Sequence, residues 1–239
     1  MAAQRIVKTP DGEATLKPVV HEPLHEQVHR QIRRSLMEGR FRPGQVLTIR
    51  ELATQLGTSI MPVRDALQKL TVEQALELTA SRSVRVPIIS ARKFTEICDV
   101  RIALEGFAAR LAAERATAED IARAEEAERD FLNAHESGDP SLLLERNRKF
   151  HFAIYAAARH ETLLQLIEPL WVRCGPCTLA LFEELTAERV KWGASTPHRK
   201  AVAALRRGRP EQAEAAIVSD IRATCTRYRQ HAARMQAMT

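Results

Sequence analysis

Between Pro23 and Gly39 the apolar residues Leu24, Val28, Ile32 and Leu36 recur at every fourth position, which predicts a helix with one face for a core. Two more helices follow closely. Leu52, Ala53 and Leu56 mark a short one that stops at Gly57, and Val63, Ala66, Leu67 and Leu70 mark the next. The latter opens with Ser59 as N-cap and Pro62 in its first turn, where a missing N–H costs nothing. Two short helices across so tight a turn, sharing a core on one face, read as a helix-turn-helix. Such a unit lays its second helix in the major groove of DNA while the first crosses the backbone. LELTASRSVRV, residues 76–86, then predicts a strand, a turn and a strand.

From Ala91 onward the chain is rich in Ala, Leu, Arg and Glu with a helical period throughout. Breaks near Ala116-Thr117, Ser137 to Pro140, Arg159-His160, Thr186 and Gly208 to Pro210 divide it into roughly six helices, and connections this short favour antiparallel neighbours. The expected fold is mainly α: an N-terminal winged helix-turn-helix followed by an all-α antiparallel helical bundle. Residues 1–19, with Pro10, Gly12, Pro18 and no apolar period, read as a mobile tail, residues 20–88 as the DNA-binding unit and residues 89–239 as the bundle.

Charge agrees with this division. The chain carries a formal charge of +6, and residues 1–90 hold 13 Lys and Arg against 9 Asp and Glu, so most of the excess lies in the part that resembles a DNA reader. No apolar run approaches the roughly 20 residues of a membrane helix, and MAAQRIVKTPDGEATLKP has no apolar signal segment, so a cytoplasmic location is expected. Four cysteines in 239 residues are too few for a disulfide framework. His21, His25 and His29 have a helical spacing, but nothing nearby completes a metal site, and they read as solvated or DNA-facing.

In the bundle, several polar residues occupy positions where the helical stripe calls for apolar ones. Asn147 and His151 lie on the stripe of Leu143 and Ile154; His198 lies with Val202 and Leu205; Asp220 with Ala213, Ala216 and Ile217; Arg101 with Ile97, Leu104 and Ala108. Buried without partners, each would cost on the order of 1–3 kcal/mol, and a charge more. Local hydrogen bonds would satisfy any one of them. Convergence from several helices is instead how a bundle builds a metal centre.

The ordered segments EGRFRPGQVLTIRELATQLG, TSIMPVRDAL and LELTASRSVRV resemble the winged-helix domain of the GntR family of bacterial transcription regulators. DVRIALEGFAARLAAERAT, NRKFHFAIYAAARHETLLQLIEPLW and HRKAVAALRRGRPEQAEAAI resemble the all-helical FCD domain of its FadR-type subgroup. Together the resemblance covers residues 20 to 232. It implies a ligand-responsive DNA-binding regulator, repression being the commoner mode, that pairs as a homodimer on a palindromic operator. Arg50 and Arg64 match positions where the family places arginines on DNA, and Arg82 and Arg85 fall in the wing. Thr58, Ser59 and Met61, at the start of the groove helix, complete the expected DNA face. The family commonly has an arginine after the serine and a glycine in the wing; here Ile60 and Ser83 stand there.

The same resemblance implies a divalent metal held by Asn147, His151, His198 and Asp220, with a small organic acid as effector beside it and Arg101 as the guanidinium that pairs with its carboxylate. The usual set is an aspartate and three histidines, so a carboxylate is lost at Asn147 and one is regained at Asp220. Two imidazoles and two oxygens suit Zn²⁺, Ni²⁺, Mn²⁺ or Fe²⁺. An alternative partner for Arg101 is Glu105, one turn on.

Two other function classes stay open. A metal-dependent enzyme on the bundle site would need a base that is not already a ligand, and the helix-turn-helix would go unexplained. A thiol redox sensor could use Cys174-Gly175-Pro176-Cys177, although the motif follows a helical run and the chain lacks the alternating strands of thioredoxin-like enzymes.

Overall fold

The computed structural model describes residues 22–79, 83–187 and 195–237. The expected mobile tail, His21 and Arg82 lie outside them. Among the described residues the chain forms α1 (Leu24–Met37), β1 (Val46–Leu47), α2 (Ile49–Gln55), α3 (Ile60–Val72), β2 (Glu77–Leu78), β3 (Val84–Arg85), α4 (Ala91–Arg115), α5 (Ala118–Ser137), α6 (Pro140–Ala157), α7 (Glu161–Ala187), α8 (Ser195–Arg206) and α9 (Pro210–Ala237). Winged helix-turn-helix and helical bundle both appear as the apolar periods predict.

Local chemistry starts and stops these elements. Thr48 caps α2 by accepting from the Glu51 N–H, and Gly57, at φ +62°, supplies the left-handed residue between α2 and α3. Ser59 holds the N-cap position of α3 without a side-chain cap bond. Farther on, Ser90 caps α4, Thr117 and Asp120 form a capping box on α5, and Asp139 caps α6 with Pro140 at its first position. The three strands pair antiparallel in the order β1-β3-β2, with Val46 opposite Arg85 and Glu77 opposite the same residue. Two-residue strands have no period of their own, and β1 went unpredicted for that reason.

His29 departs from the expectation of a solvated or DNA-facing ring. It is buried, its Nε2 2.9 Å from Glu73 Oε1, because its position in the α1 period turns it toward α3. His25 sits 3.6 Å from Glu26.

The winged unit rests on the bundle through α1. Leu36, at its C-terminal end, is fully buried, and a Cβ built on Gly175 of α7 would lie 2.3 Å from the Leu36 carbonyl oxygen. Charged pairs flank this contact: Arg33 to Glu168 at 2.6 Å, Arg42 to Glu183 at 2.7 Å and Arg148 of α6 to the buried Glu38 at 3.7 Å. No helix among the described residues is long and apolar enough to cross a membrane.

Candidate functional sites

Polar groups from three bundle helices meet in the core. His151 of α6, His198 of α8 and Asp220 of α9 are all buried, and one potential ligand atom from each lies within 4.8 Å of the others. His151 Nε2 is 3.2 Å from Asp220 Oδ2, and His198 Nε2 is 3.8 Å from Oδ1. The rings are held by aromatic contacts. Phe150 stacks on His198 at 3.8 Å between centroids, Phe131 tilts against it at 4.5 Å, and Trp171 lies 5.1 Å from His151.

Hydrogen bonding fixes the tautomer of His151. The Tyr155 hydroxyl donates its one proton to Glu105 Oε2, so its oxygen can only accept from His151 Nδ1, 2.9 Å away. In the neutral ring, Nε2 is then a bare lone pair aimed at a carboxylate. His198 is fully buried, and neither of its ring nitrogens has a hydrogen-bond partner among the described residues. Burial by itself would raise the Asp220 pKa, but the two imidazoles beside it, His151 and His198, outweigh burial and hold the carboxyl far below the usual range. Burial lowers the His198 pKa, against the opposing pull of Asp220. The result is an ionised carboxylate and imidazole nitrogens converging on one point, a donor set that fits a divalent cation.

Asn147 lies one turn before His151 on α6 and is half-buried. Arg101 lies behind this cluster. Its Nε and one terminal nitrogen bond both oxygens of Glu105, at 2.6 and 3.1 Å, and its guanidinium carbon sits 4.5 Å from the centroid of a Trp171 ring. The alternative partner is therefore the one the structure uses. Sequence reasoning missed Tyr155, although it follows His151 by four residues and so shares its stripe; that spacing was the available signal.

On the winged unit, Arg50 and Arg64 are exposed and form no ion pair among the described residues. Ser59, Ile60 and Met61 are also exposed, while Thr58 is half-buried with its hydroxyl unpartnered. Arg85 differs from this group: its guanidinium bonds Glu77 across the β2–β3 ladder, at 2.8 Å from Nε.

The Cys174 and Cys177 thiols are buried in the interior of α7, not at the strand-to-helix junction that a redox tetrapeptide needs. Burial pushes the Cys174 thiol up to about 12 and raises that of Cys177.

The family model for bacterial regulatory proteins of the gntR family matches residues 24–86, and that for the FCD domain matches residues 96–223. The chain belongs to the GntR family, in its FCD-type branch. This GntR-family chain is 37% identical over 153 residues to the HTH-type transcriptional regulator McbR of Escherichia coli (strain K12), covering 64% of the chain and 69% of McbR. It is 30% identical over 190 residues to the probable D-xylose utilization operon transcriptional repressor of Paenarthrobacter nicotinovorans, covering 79% and 81%. The structure of E. coli McbR/YncC superposes with a TM-score of 0.81 at 32% identity, over 88% of this chain and 99% of that one. A GntR regulator from Rhodococcus sp. RHA1, at 20% identity, shares the fold with a TM-score of 0.70, over 85% of this chain and 96% of that one. The GntR-family chain is thus a DNA-binding transcription regulator, and its relatives are regulators as well.

Proposed function

We propose that this regulator senses a small organic acid at a divalent metal held by His151, His198 and Asp220, with Asn147 as fourth ligand, and that binding of the acid alters its grip on operator DNA. The observation that carries this reading is the buried His198, whose ring nitrogens have no hydrogen-bond partner among the described residues and whose Nε2 lies 3.8 Å from a carboxylate that His151 Nε2 also approaches, at 3.2 Å. A polar pocket without a cation would leave these groups uncompensated, at a cost on the order of 1–3 kcal/mol for each unmade bond. Zn²⁺, Ni²⁺, Mn²⁺ and Fe²⁺ all suit two imidazoles and two oxygens. A bound ion supplies a Lewis-acidic point that holds a carboxylate.

The chain's own residues do the rest. Glu105 and Tyr155 fix the ring of His151, and Trp171 places α7 against both that ring and Arg101. Arg101 remains a second contact for the acid, reached by exchange with Glu105. Leaving Glu105 buried and unpaired would cost about 3–5 kcal/mol, so the metal carries most of the affinity and Arg101 little. A change at the site reaches the winged unit along α7, from Trp171 to Gly175, where α7 meets α1. An acid that binds the two arrangements unequally shifts their populations.

In this reading residues 20–88 form the DNA-binding domain and residues 89–239 the sensing and dimerisation domain of a cytoplasmic homodimer that represses its target. The test is fluorescence anisotropy on a duplex selected by the protein, titrated with small mono- and dicarboxylic acids after loading with Zn²⁺ or Mn²⁺. At least one acid is expected to shift the apparent Kd tenfold or more for the wild type and to leave His151→Ala unmoved. Equal responses from both proteins would remove the metal-centred mechanism.

A further inference from the structure

Ile60 and Met61 open α3 with 42% and 57% of their surfaces exposed, and neither side chain is needed by the core, which Val63, Ala66, Leu67 and Leu70 fill from the opposite face. Single exposed apolar residues are common on protein surfaces and need no explanation. Two adjacent ones are different when they open the second helix of a helix-turn-helix, the one that enters the major groove, between two arginines, Arg50 and Arg64, that form no ion pair among the described residues.

In that groove the base edges offer hydrogen-bond donors and acceptors almost everywhere, and one apolar group: the C5-methyl of thymine. An isoleucine cannot satisfy a guanine or an adenine edge, and placing it there would leave those polar atoms desolvated. It can bury a methyl. We propose that Ile60 and Met61 read thymine methyl groups in each half-site, while Arg50 and Arg64 supply the charge that brings this apolar tip against the bases. The inference rests on α3 as the groove helix. It makes thymine recognition a property of this chain's own sequence at position 60, where an arginine would instead favour the O6 and N7 acceptors of guanine.

The experiment starts with duplexes selected by the full-length protein from a random 30-base-pair library, so that no operator need be assumed. Each thymine of the selected site is replaced in turn by deoxyuridine, which removes the methyl and changes nothing else. At one or two positions per half-site the affinity of the wild type is expected to fall about fourfold per methyl removed, the equivalent of roughly 0.8 kcal/mol for a buried carbon. Ile60→Ala or Met61→Ala, both at exposed positions and so not expected to disturb folding, should bind thymine and deoxyuridine duplexes equally at the matching position. Ile60→Arg should select guanine there. Deoxyuridine duplexes that bind as tightly as the parent at every position would overturn thymine reading while leaving DNA binding intact. Failure to enrich any sequence would overturn the groove-helix assignment as well.

Discussion

Gly175→Ala isolates the contact between the winged unit and the bundle. Within a helix the change by itself stabilises, by about 1 kcal/mol, because alanine has less backbone freedom to lose. At this position the new Cβ would lie 2.3 Å from the Leu36 carbonyl oxygen, 3.1 Å from the Leu36 carbonyl carbon and 3.0 Å from Met37 Cα. All three atoms are backbone, so no rotamer change relieves the overlap, and α1 must retreat from α7 by roughly 1 Å. Overpacking of this kind costs about 1–3 kcal/mol, which exceeds the propensity gain. The expected net loss of up to about 2 kcal/mol lowers Tm by roughly 2–4 °C per kcal/mol in a chain of this size. Gly106→Ala is the internal control, since its Cβ meets side-chain atoms and no backbone of another element, Val218 Cγ2 at 3.0 Å and Glu214 Cγ at 3.4 Å. It should stay within about 1 kcal/mol of the wild type. Paired thermal scans at one protein concentration decide the matter, and a Gly175→Ala protein as stable as Gly106→Ala, or more so, would refute the close packing of α1 on α7.

The other expectations concern separate links. Arg64→Ala should weaken binding to a selected duplex by roughly 1–3 kcal/mol if the guanidinium reads a base, and unchanged affinity in a direct titration would deny it that role. Glu105→Gln removes the charge that compensates the buried Arg101 and should cost about 3–5 kcal/mol in urea unfolding; a loss under about 1 kcal/mol would show that the pair is not desolvated. The double change Cys174→Ser and Cys177→Ser should leave DNA binding equally insensitive to hydrogen peroxide before and after, whereas a peroxide response lost in the double variant would restore the redox reading.

Most of the architecture was legible because each long helix carries its own period and its own breaks. Leu24, Val28, Ile32 and Leu36 announced α1, and Pro140 and Pro210 opened α6 and α9 as expected. The stripe positions of His151, His198 and Asp220 also mark them as inward-facing from the sequence alone, and all three are buried. What could not be read was who meets whom across the fold. Arg101 could be paired with an effector or with Glu105 on sequence alone, and only the burial of both shows the second. Arg85 reads as a free wing arginine until β2 places Glu77 beside it. Gly175 reads as part of a redox tetrapeptide until α1 is seen against it, because a contact separated by 139 positions leaves no local trace.

Native mass spectrometry of the 239-residue chain, purified without chelator and then supplied with Zn²⁺ or Mn²⁺, shows whether Asn147, His151, His198 and Asp220 hold a metal. The expected result is a dimer carrying one divalent metal per chain, and a His151→Ala protein that remains dimeric but carries none. A wild-type dimer that binds its selected duplex yet takes up no metal, or a fully metallated His151→Ala, would contradict it.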